Sequence, residues 1–555
     1  MKKKNVKTIS LMIERKRKGM YKKIPLFLLI ITFATSLTTG CSNIIEWIFD
    51  SPQYEQPKDI SYLIEKQLKE ANITSLEQKS NLLHNANIDQ IRNYLITGKL
   101  TCVEVTAYYL KRIQILNKKM HIVISVNPEA ITEAKKLDEQ GPPSKNTSLL
   151  YGIPILVKDN IETKDKMPTT GGTIALKDNY AKKDANVIQH LRANGAIILA
   201  KANLSELAGL SFIYPIEPSG FSALGGQTLN PYGPGTLNVS GSSSGSAAGV
   251  AADLAPAAIG TETYGSIIGP ASANSVIGVK PTLGRLSQSG IIPLSHTYDT
   301  AGPLTKTVKD AALLLSLMEG YQPDEPSTHH LNYFTSLNPH RLKGAKLAAT
   351  KDFNSSTIGR KIIASLKAAG ASVDLISYHI PEADLKNSFK KIIAYEFRQD
   401  FSNYLKESQP FFGVNSLSDL ISFNNENPKE RIPYGQNHLI YAENLKLTEK
   451  ESKQKIATLN KITKQYIVSP FFQDKNYDAI LTINLKANLS KYGTLPSDIS
   501  AYASLPTVCI PVGYLRGNIP VSITFIGPKN TEQKLLSLAY SFEQANPKRI
   551  PPKIK

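Results

Sequence analysis

Cysteine is scarce in this chain of 555 residues, and long apolar runs are scarce as well. Apart from Cys41, only Cys102 and Cys509 occur, so a disulfide framework is excluded and two thiols by themselves cannot form a zinc site. The apolar run at residues 24–34 has 11 residues, whereas a membrane-spanning helix needs about 20. No periodic repeat occurs. We therefore expect a globular protein without a metal site, in which His329 and His330 are a solvated loop pair.

The net charge of +19 would suit a nucleic-acid-binding protein, but its distribution does not. Residues 1–23 hold ten Lys and Arg against Glu14 alone, which accounts for +9 and leaves +10 dispersed over the rest of the chain. No nucleic-acid-binding motif is interleaved with those charges. We expect a solvated basic surface and no nucleic-acid partner.

The first 41 residues have the pattern of an export signal. A basic segment precedes the apolar run, and small residues follow it up to Cys41. The sequence LTTGC (37–41) resembles the box of bacterial lipoproteins, in which the Cys after Gly is lipidated, although Leu37 stands four residues before Cys41 rather than three. We predict an exported lipoprotein anchored in a membrane through Cys41 and facing outside the cytoplasm. Secretion without a lipid and an uncleaved anchor are the alternatives, and Met20 is an alternative start.

Composition and periodicity divide the chain into four segments. These are a signal peptide (1–41), a tether with a short helix (42–83), one large domain (84–545) and a basic tail (546–555). In the large domain, apolar residues have helical spacing from Ile88 on, and Gly98 ends the first helix. The stretch GIPILVKDN (152–160) indicates a buried strand, and helix and strand patterns alternate after residue 186. This alternation predicts an α/β domain with a largely buried sheet.

Residues 219–290 are rich in Gly, Ser and Ala, yet GSAAGVAADLA has small apolar residues at helical spacing. We therefore predict ordered backbone that passes close to another group, not a flexible linker. Within it, GSSSG (241–245) matches the nucleophile elbow G-x-S-x-G, with Ser243 as the nucleophile and with Asp299 and His329 available as its partners. Such a match arises easily by chance in a Ser-rich run, and it is the weaker alternative.

A second serine, Ser266, lies among small and hydroxyl residues in GTETYGSIIGP (260–270), and no His lies within 25 residues of it. Lys158 follows the predicted buried strand, where a side chain can be held facing inward. A lysine is a base at neutral pH only if burial or neighbouring charges lower its pKa from about 10.4 by several units. Taken alone, Lys158 would be a surface lysine in a turn.

The stretches GIPILVKDN, GSSSGSAAGVAA and GTETYGSIIGP occur in the order and at the spacing of the amidase signature family. The family has a second Ser 24 residues after the first of a Ser-Ser pair, which relates Ser242 to Ser266. MPTTGGTIAL, AKANLSELA, GVKPTLGR and DTAGPL also resemble it, and the resemblance extends over roughly residues 88–545. It implies a single large α/β domain with a mixed, twisted β-sheet flanked by helices.

The resemblance also implies catalytic roles. Ser266 would be the acylating nucleophile, Ser242 would follow a cis peptide bond and bridge Ser266 to Lys158, and neutral Lys158 would be the terminal base. No metal or organic cofactor is implied. The implied oxyanion hole consists of the backbone N–H groups of Thr263, Tyr264, Gly265 and Ser266.

Three positions depart from the family pattern. Tyr264 precedes Gly265 where many relatives have Gly or Asp, and Ile268 stands where an Arg is frequent. Ser240 occupies a position where Gly is common, which makes the neighbouring turn harder to form. Tyr264 and Ile268 are therefore our candidates for the substrate pocket.

The resemblance is strongest to exported bacterial amidases of the peptide-amidase type. We expect hydrolysis of a carboxamide, either a C-terminal peptide amide or a small amide, to a carboxylate and ammonia or an amine through an acyl-enzyme. One alternative is the subunit that amidates misacylated tRNA, which works in the cytoplasm with partner subunits and ATP. Another is a non-catalytic binding lipoprotein on an amidase scaffold. The sequence leaves the individual substrate and the oligomeric state open.

Overall fold

A mixed β-sheet is the centre of the fold. The computed structural model describes residues 59–71, 76–142, 149–210, 217–319, 332–377, 380–408, 413–485, 498–516 and 518–554. The strands are β1 (Val123–Val126), β2 (Pro154–Lys158), β3 (Ile197–Ala202), β4 (Phe221–Ser222), β5 (Gly226–Gln227), β6 (Ala257–Glu262), β7 (Ile277–Lys280), β8 (Thr300–Thr305), β9 (Lys346–Thr350), β10 (Ser372–Ile376), β11 (Ala479–Asn484), β12 (Thr507–Leu515) and β13 (Ile519–Ile526). Within the described ranges, eleven of them form the sheet in the order β1-β3-β2-β6-β8-β7-β12-β13-β11-β9-β10, and β4 and β5 form a small hairpin.

Parallel pairing brings the candidate catalytic segments to one edge of this sheet. β2 lies between β3 and β6 and runs parallel to both. Lys158 is the last residue of β2, and Glu262 is the last residue of β6. Because parallel neighbours end at the same edge, the loop that follows β6 and carries Ser266 begins beside Lys158.

Helices flank the sheet, and their positions agree with the predicted elements of the large domain. The pattern that begins at Ile88 forms two helices, and Gly98 between them has a φ of +67°. Both helices begin with a capping box, at Asn87 and Thr101. The α-helices are Asp59–Glu70, Leu76–Leu83, Ile88–Ile96, Cys102–Met120, Ala130–Glu139, Asn186–Ala193, Ser244–Ala251, Ile268–Ala273, Val308–Met318, Thr357–Ala368, Glu382–Ser408, Leu417–Glu426, Pro428–Arg431, Asn437–Asn444, Glu449–Thr463, Asp498–Tyr502 and Glu532–Ala545, and a π-helix spans Lys464–Asp474.

The ends of the chain contribute to this unit where they are described. The helices Asp59–Glu70 and Leu76–Leu83 fall in the predicted tether, yet Ile64 and Leu83 are buried in the core. In the predicted basic tail, the N–H of Ile550 donates to the Tyr514 hydroxyl at 2.8 Å. From residue 59 to residue 554, the described segments therefore belong to one packed domain.

Two apolar clusters fill the domain. The first covers the sheet and the helices packed on it, from Ile60 to Phe542. The second surrounds the long helix Glu382–Ser408 and contains Phe389, Phe397 and Leu459. In the described ranges, no helix combines the length and the apolar character needed to cross a membrane. Cys41, His329 and His330 lie outside the described residues, so the predictions about them stay predictions.

Candidate active site

Lys158 is fully buried at the end of β2. Its Nζ lies 2.7 Å from Ser242 Oγ, 2.7 Å from Thr261 Oγ1 and 3.2 Å from the Thr261 carbonyl oxygen. Thr261 belongs to the neighbouring parallel strand β6, and Asn160 Nδ2 donates to its hydroxyl at 3.0 Å. The parallel pairing of β2 and β6 therefore provides two of the three contacts of this amine. Lys158 is not the surface lysine that its local sequence alone would indicate.

The environment of Lys158 favours a neutral amine. Burial lowers the pKa of Lys158 from 10.5 to about 7, against the opposing effect of the carboxylates of Asp299 and Glu262. A neutral amine has two N–H groups and one lone pair. It therefore satisfies its three partners when one of the two hydroxyls, on Ser242 or Thr261, donates to the lone pair. Such an amine can accept a proton at neutral pH.

Ser242 lies in a turn whose backbone is fixed on both sides. The Gly241–Ser242 peptide bond is cis, as the resemblance implies. A Cβ added at Gly241 would lie 2.3 Å from Ser205 Oγ, so only glycine fits there without a shift. The N–H of Ser205 donates to the Ser242 carbonyl at 3.1 Å. These contacts hold the Ser242 side chain, which is 3% exposed, against Lys158.

Ser266 follows β6 in a loop that touches the same turn. The N–H of Ser243 donates to the Ser266 carbonyl at 3.1 Å, which places the two serine segments side by side. Gly265 has a φ of +77°, a conformation that favours glycine. Among the described residues, the N–H groups of Gly265 and Ser266 have no hydrogen-bond acceptor, so both are available to an incoming oxygen. The site thus combines a serine, a second serine with a buried amine, and free backbone donors.

Two buried carboxylates hold this loop from its two ends. Glu262 accepts hydrogen bonds from the N–H groups of Ile267 at 2.7 Å and Ile268 at 2.9 Å. The hydroxyl of Thr263 donates to Asp299, which also accepts from the N–H of Leu294 at 2.7 Å. Burial raises the pKa of Asp299 to about 6, in spite of these hydrogen bonds. Since the carboxylates fix the residues on either side of Ser266, they determine the shape of the loop.

The two candidate pocket residues differ in their surroundings. Tyr264 is partly exposed, and its ring packs against Phe389 and Tyr502, with centroid distances of 5.4 Å and 5.7 Å. Ile268 is 1% exposed and lies in the first apolar cluster at the start of the helix Ile268–Ala273. Ile268 is therefore packed among core residues, and its place in a substrate pocket stays a prediction. The sequence could not show this packing, because it does not tell which way the helix turns.

Ser243, the candidate nucleophile of the elbow alternative, has a structural role. Its side chain is fully buried, and its hydroxyl donates to the Thr261 carbonyl at 3.0 Å and accepts from the Thr261 N–H at 3.2 Å. Asp299, its proposed acid, is engaged by Thr263. No group of three or more metal-ligating side chains was found within the described part of the chain.

The sequence did not reveal the roles that four residues have in this site. They are Thr261, Asn160, Glu262 and Asp299. All four lie in stretches that resemble the family, which was the available signal. Their contacts depend on strand order. The antiparallel pairing of Glu262 with Thr300 places Thr263 opposite Asp299, and nothing in the sequence shows that β6 and β8 are neighbours.

Comparisons with known proteins agree with this architecture. A family model described as Amidase matches residues 104–536. A probable amidase of Arabidopsis thaliana is 36% identical over 490 residues, which cover 85% of this chain and 92% of the relative. A glutamyl-tRNA(Gln) amidotransferase subunit of Lawsonia intracellularis is 34% identical over 491 residues, covering 81% of this chain and 95% of the relative.

Solved structures are similar over nearly the same span. An amidase family protein from Bacillus anthracis has a TM-score of 0.82 at 38% identity, covering 91% of this chain and 99% of that one. The peptide amidase of Stenotrophomonas maltophilia has a TM-score of 0.78 at 31% identity, covering 85% of this chain and 99% of that one.

Proposed function

The chain belongs to the amidase family and is an amide-hydrolysing enzyme, and on that premise we propose that it cleaves carboxamides through an acyl-enzyme on Ser266. The observation that carries this proposal is the buried amine of Lys158, 2.7 Å from Ser242 Oγ, with a pKa lowered to about 7. A base with a pKa near neutrality is the component that a serine without a histidine requires.

In the proposed reaction, Ser266 Oγ attacks the amide carbonyl and passes its proton to Ser242, whose own proton goes to Lys158. The N–H groups of Gly265 and Ser266 stabilise the oxyanion, an interaction typically worth several kcal/mol in the transition state. The same relay returns a proton to the leaving nitrogen, and ammonia or an amine departs. A water molecule then attacks the acyl-enzyme, with Ser242 and Lys158 acting as base again, and the carboxylate is released.

For the substrate we propose a C-terminal peptide amide. The support is the similarity to the peptide amidase of Stenotrophomonas maltophilia, at 31% identity over 85% of this chain. The proposal includes export and a lipid anchor at Cys41, on the sequence pattern alone. Incorporation of labelled palmitate that is lost in the Cys41→Ser variant would test the anchor.

A fluorophosphonate probe tests the nucleophile directly. We expect it to modify the purified protein at Ser266, located by mass spectrometry of the labelled peptide, and not to modify the Ser266→Ala variant. In parallel, a panel of peptide amides and small amides should release ammonia with the wild type only. A folded protein that is neither labelled nor active on any amide would instead support the non-catalytic binding protein.

An amidotransferase-type function is the second candidate, because the amidotransferase chain from Lawsonia intracellularis is 34% identical to this one. The two functions differ in their requirements. Hydrolysis by the isolated chain needs neither a partner protein nor ATP, so full turnover by the purified protein alone would exclude the second candidate.

A further inference from the structure

His296 is held between two carboxylates of another element. Its Nδ1 lies 2.8 Å from one oxygen of Asp400 and 3.1 Å from the other, and its Nε2 lies 3.4 Å from Glu396 Oε1. The backbone N–H of His296 also donates to Asp400 at 3.0 Å. Asp400 and Glu396 both belong to the helix Glu382–Ser408. His296 therefore joins the loop before β8 to the longest helix of the described structure.

The loop before β8, which contains His296, also holds the loop that carries Ser266, the nucleophile loop. The hydroxyl of Ser295 donates to Glu396, and its N–H donates to Asp299 at 2.9 Å. Asp299 in turn accepts a hydrogen bond from the Thr263 hydroxyl, three residues before Ser266. A series of hydrogen bonds thus runs from Glu396 on the helix through Ser295 and Asp299 to Thr263 in the nucleophile loop, and His296 lies at its start as an ion-pair partner of Glu396.

The same helix touches the nucleophile loop a second time. Phe389 packs against Tyr264 with a centroid distance of 5.4 Å and against Tyr298 at 4.7 Å. Tyr264 belongs to the nucleophile loop, and Tyr298 lies between His296 and β8. A shift of the helix relative to the loop before β8 would therefore displace the loop of Ser266 in two ways, through the hydrogen bonds to Thr263 and through the ring contact with Tyr264.

We infer that His296 is a positioning residue, whose charged imidazole clamps the helix Glu382–Ser408 to the loop before β8 and thereby holds Thr263 and the oxyanion donors in place. This inference rests on the proposed function, since it assigns His296 a part in the same reaction. His296 does not reach the reacting atoms. It acts through Ser295, Asp299 and Thr263.

The carboxylates around His296 determine the pH range in which the clamp is charged. Burial lowers the pKa of His296, but Glu396 and Asp400 on the helix, with Asp299 on its own loop, raise it above the ordinary 6.5. The charged form, and with it the clamp, is present below this raised pKa and is lost as the pH increases through it. Lys158 has the opposite requirement, because its neutral form prevails above about 7.

The test is the ratio of kcat/KM between the wild type and His296→Gln across pH 6 to 9. We expect a ratio of about two- to fivefold at pH 6, the effect of one partly exposed ion pair, falling towards 1 at pH 9, where the wild-type imidazole is also neutral. The titration of Lys158 is common to both proteins and cancels in the ratio. A ratio that is the same at every pH would overturn the inference, because a merely structural defect does not follow the charge of the imidazole.

Two further variants sharpen this experiment. In Asp400→Asn the imidazole loses one carboxylate, so the decline of kcat/KM at alkaline pH should move to lower pH while the folded protein persists. His340→Gln replaces an exposed histidine outside the cluster and should leave the profile unchanged. If the wild type itself is neither labelled at Ser266 nor active, the proposed function fails; if it is active and Asp400→Asn leaves the profile unmoved, only the inference fails.

Discussion

The nucleophile region (residues 154–161 and 240–270) and the helical region (residues 382–408 and 413–463) each have a buried interior, but it is built from different kinds of residue. In the nucleophile region, Lys158, Ser242, Ser243 and Thr261 are at most 5% exposed, and hydrogen bonds connect them. In the helical region, the buried side chains are mainly Leu, Ile and Phe that pack around the helix Glu382–Ser408. The interior of the nucleophile region depends on specific hydrogen-bond partners, and the interior of the helical region depends on close packing of apolar side chains.

The difference has a physical cause and a consequence. A buried polar group costs free energy unless a partner with the right geometry meets it, so each such residue is specified individually. An apolar interior tolerates exchange among residues of similar volume. Substitutions that remove a partner of Lys158 or displace the strand that carries it should therefore change chemistry, whereas substitutions of apolar core residues in the helical region should change stability.

Removal of the base should have the largest effect. Lys158→Ala deletes the amine that accepts the proton, and general-base catalysis typically contributes about 10²- to 10⁴-fold to the rate. We expect a loss of kcat of that size in an amide-hydrolysis assay, with the thermal unfolding transition retained.

Ser243→Ala is the matched control for this prediction. Its hydroxyl forms hydrogen bonds to the backbone of Thr261 at 3.0 Å and 3.2 Å, and none to Lys158 is present among the described residues. The variant should lose about 1–3 kcal/mol of stability, because two backbone groups lose a buried partner, and should retain turnover within about tenfold. Abolished turnover in a folded Ser243→Ala protein, with Lys158→Ala still active, would reverse the assignment in favour of the elbow alternative.

The same division explains what could be predicted from the sequence. Lys158, Ser242 and Ser266 could be proposed as a set because the stretches that carry them resemble the amidase signature family in order and spacing. The α/β class and the positions of the first helices follow from periodicity. The burial of Ile268 could not be predicted, because an apolar residue next to a nucleophile can face either the cleft or the core. The contact of His296 with Asp400, 104 residues later, could not be predicted from any local pattern.

The same type of substitution, a buried Leu to Ala, made once in each region tests the comparison, and its expected effect is of intermediate size. Leu156→Ala and Leu459→Ala each empty a buried site, at 0% and 1% exposure, and should each cost about 2–5 kcal/mol of unfolding free energy. Leu156 lies two residues before Lys158 on β2, so the two side chains share a face of the strand. Leu459 lies on the helix Glu449–Thr463.

Chemical denaturation measures the two stabilities, and kcat/KM at a temperature where both variants are folded measures the chemistry. We expect kcat/KM to fall in Leu156→Ala, because the strand that carries the base shifts, and to stay near wild type in Leu459→Ala. Equal losses of kcat/KM in the two folded variants would contradict the division between the regions.

The smallest effect is expected at Ser240, where the backbone conformation, and not a side-chain contact, determines the result. Ser240 has a φ of +61°, a left-handed conformation that costs a residue with a Cβ about 1–2 kcal/mol. Ser240→Gly relieves this cost, and the greater freedom of glycine in the unfolded chain offsets about 0.5–1 kcal/mol of the gain. We expect a net stabilisation of about 0–1.5 kcal/mol, measured by denaturant unfolding, with kcat unchanged. Ser240→Ala keeps the Cβ and should show no gain, so a stabilisation of equal size in Ser240→Ala would mean that the side chain and not the backbone conformation is responsible.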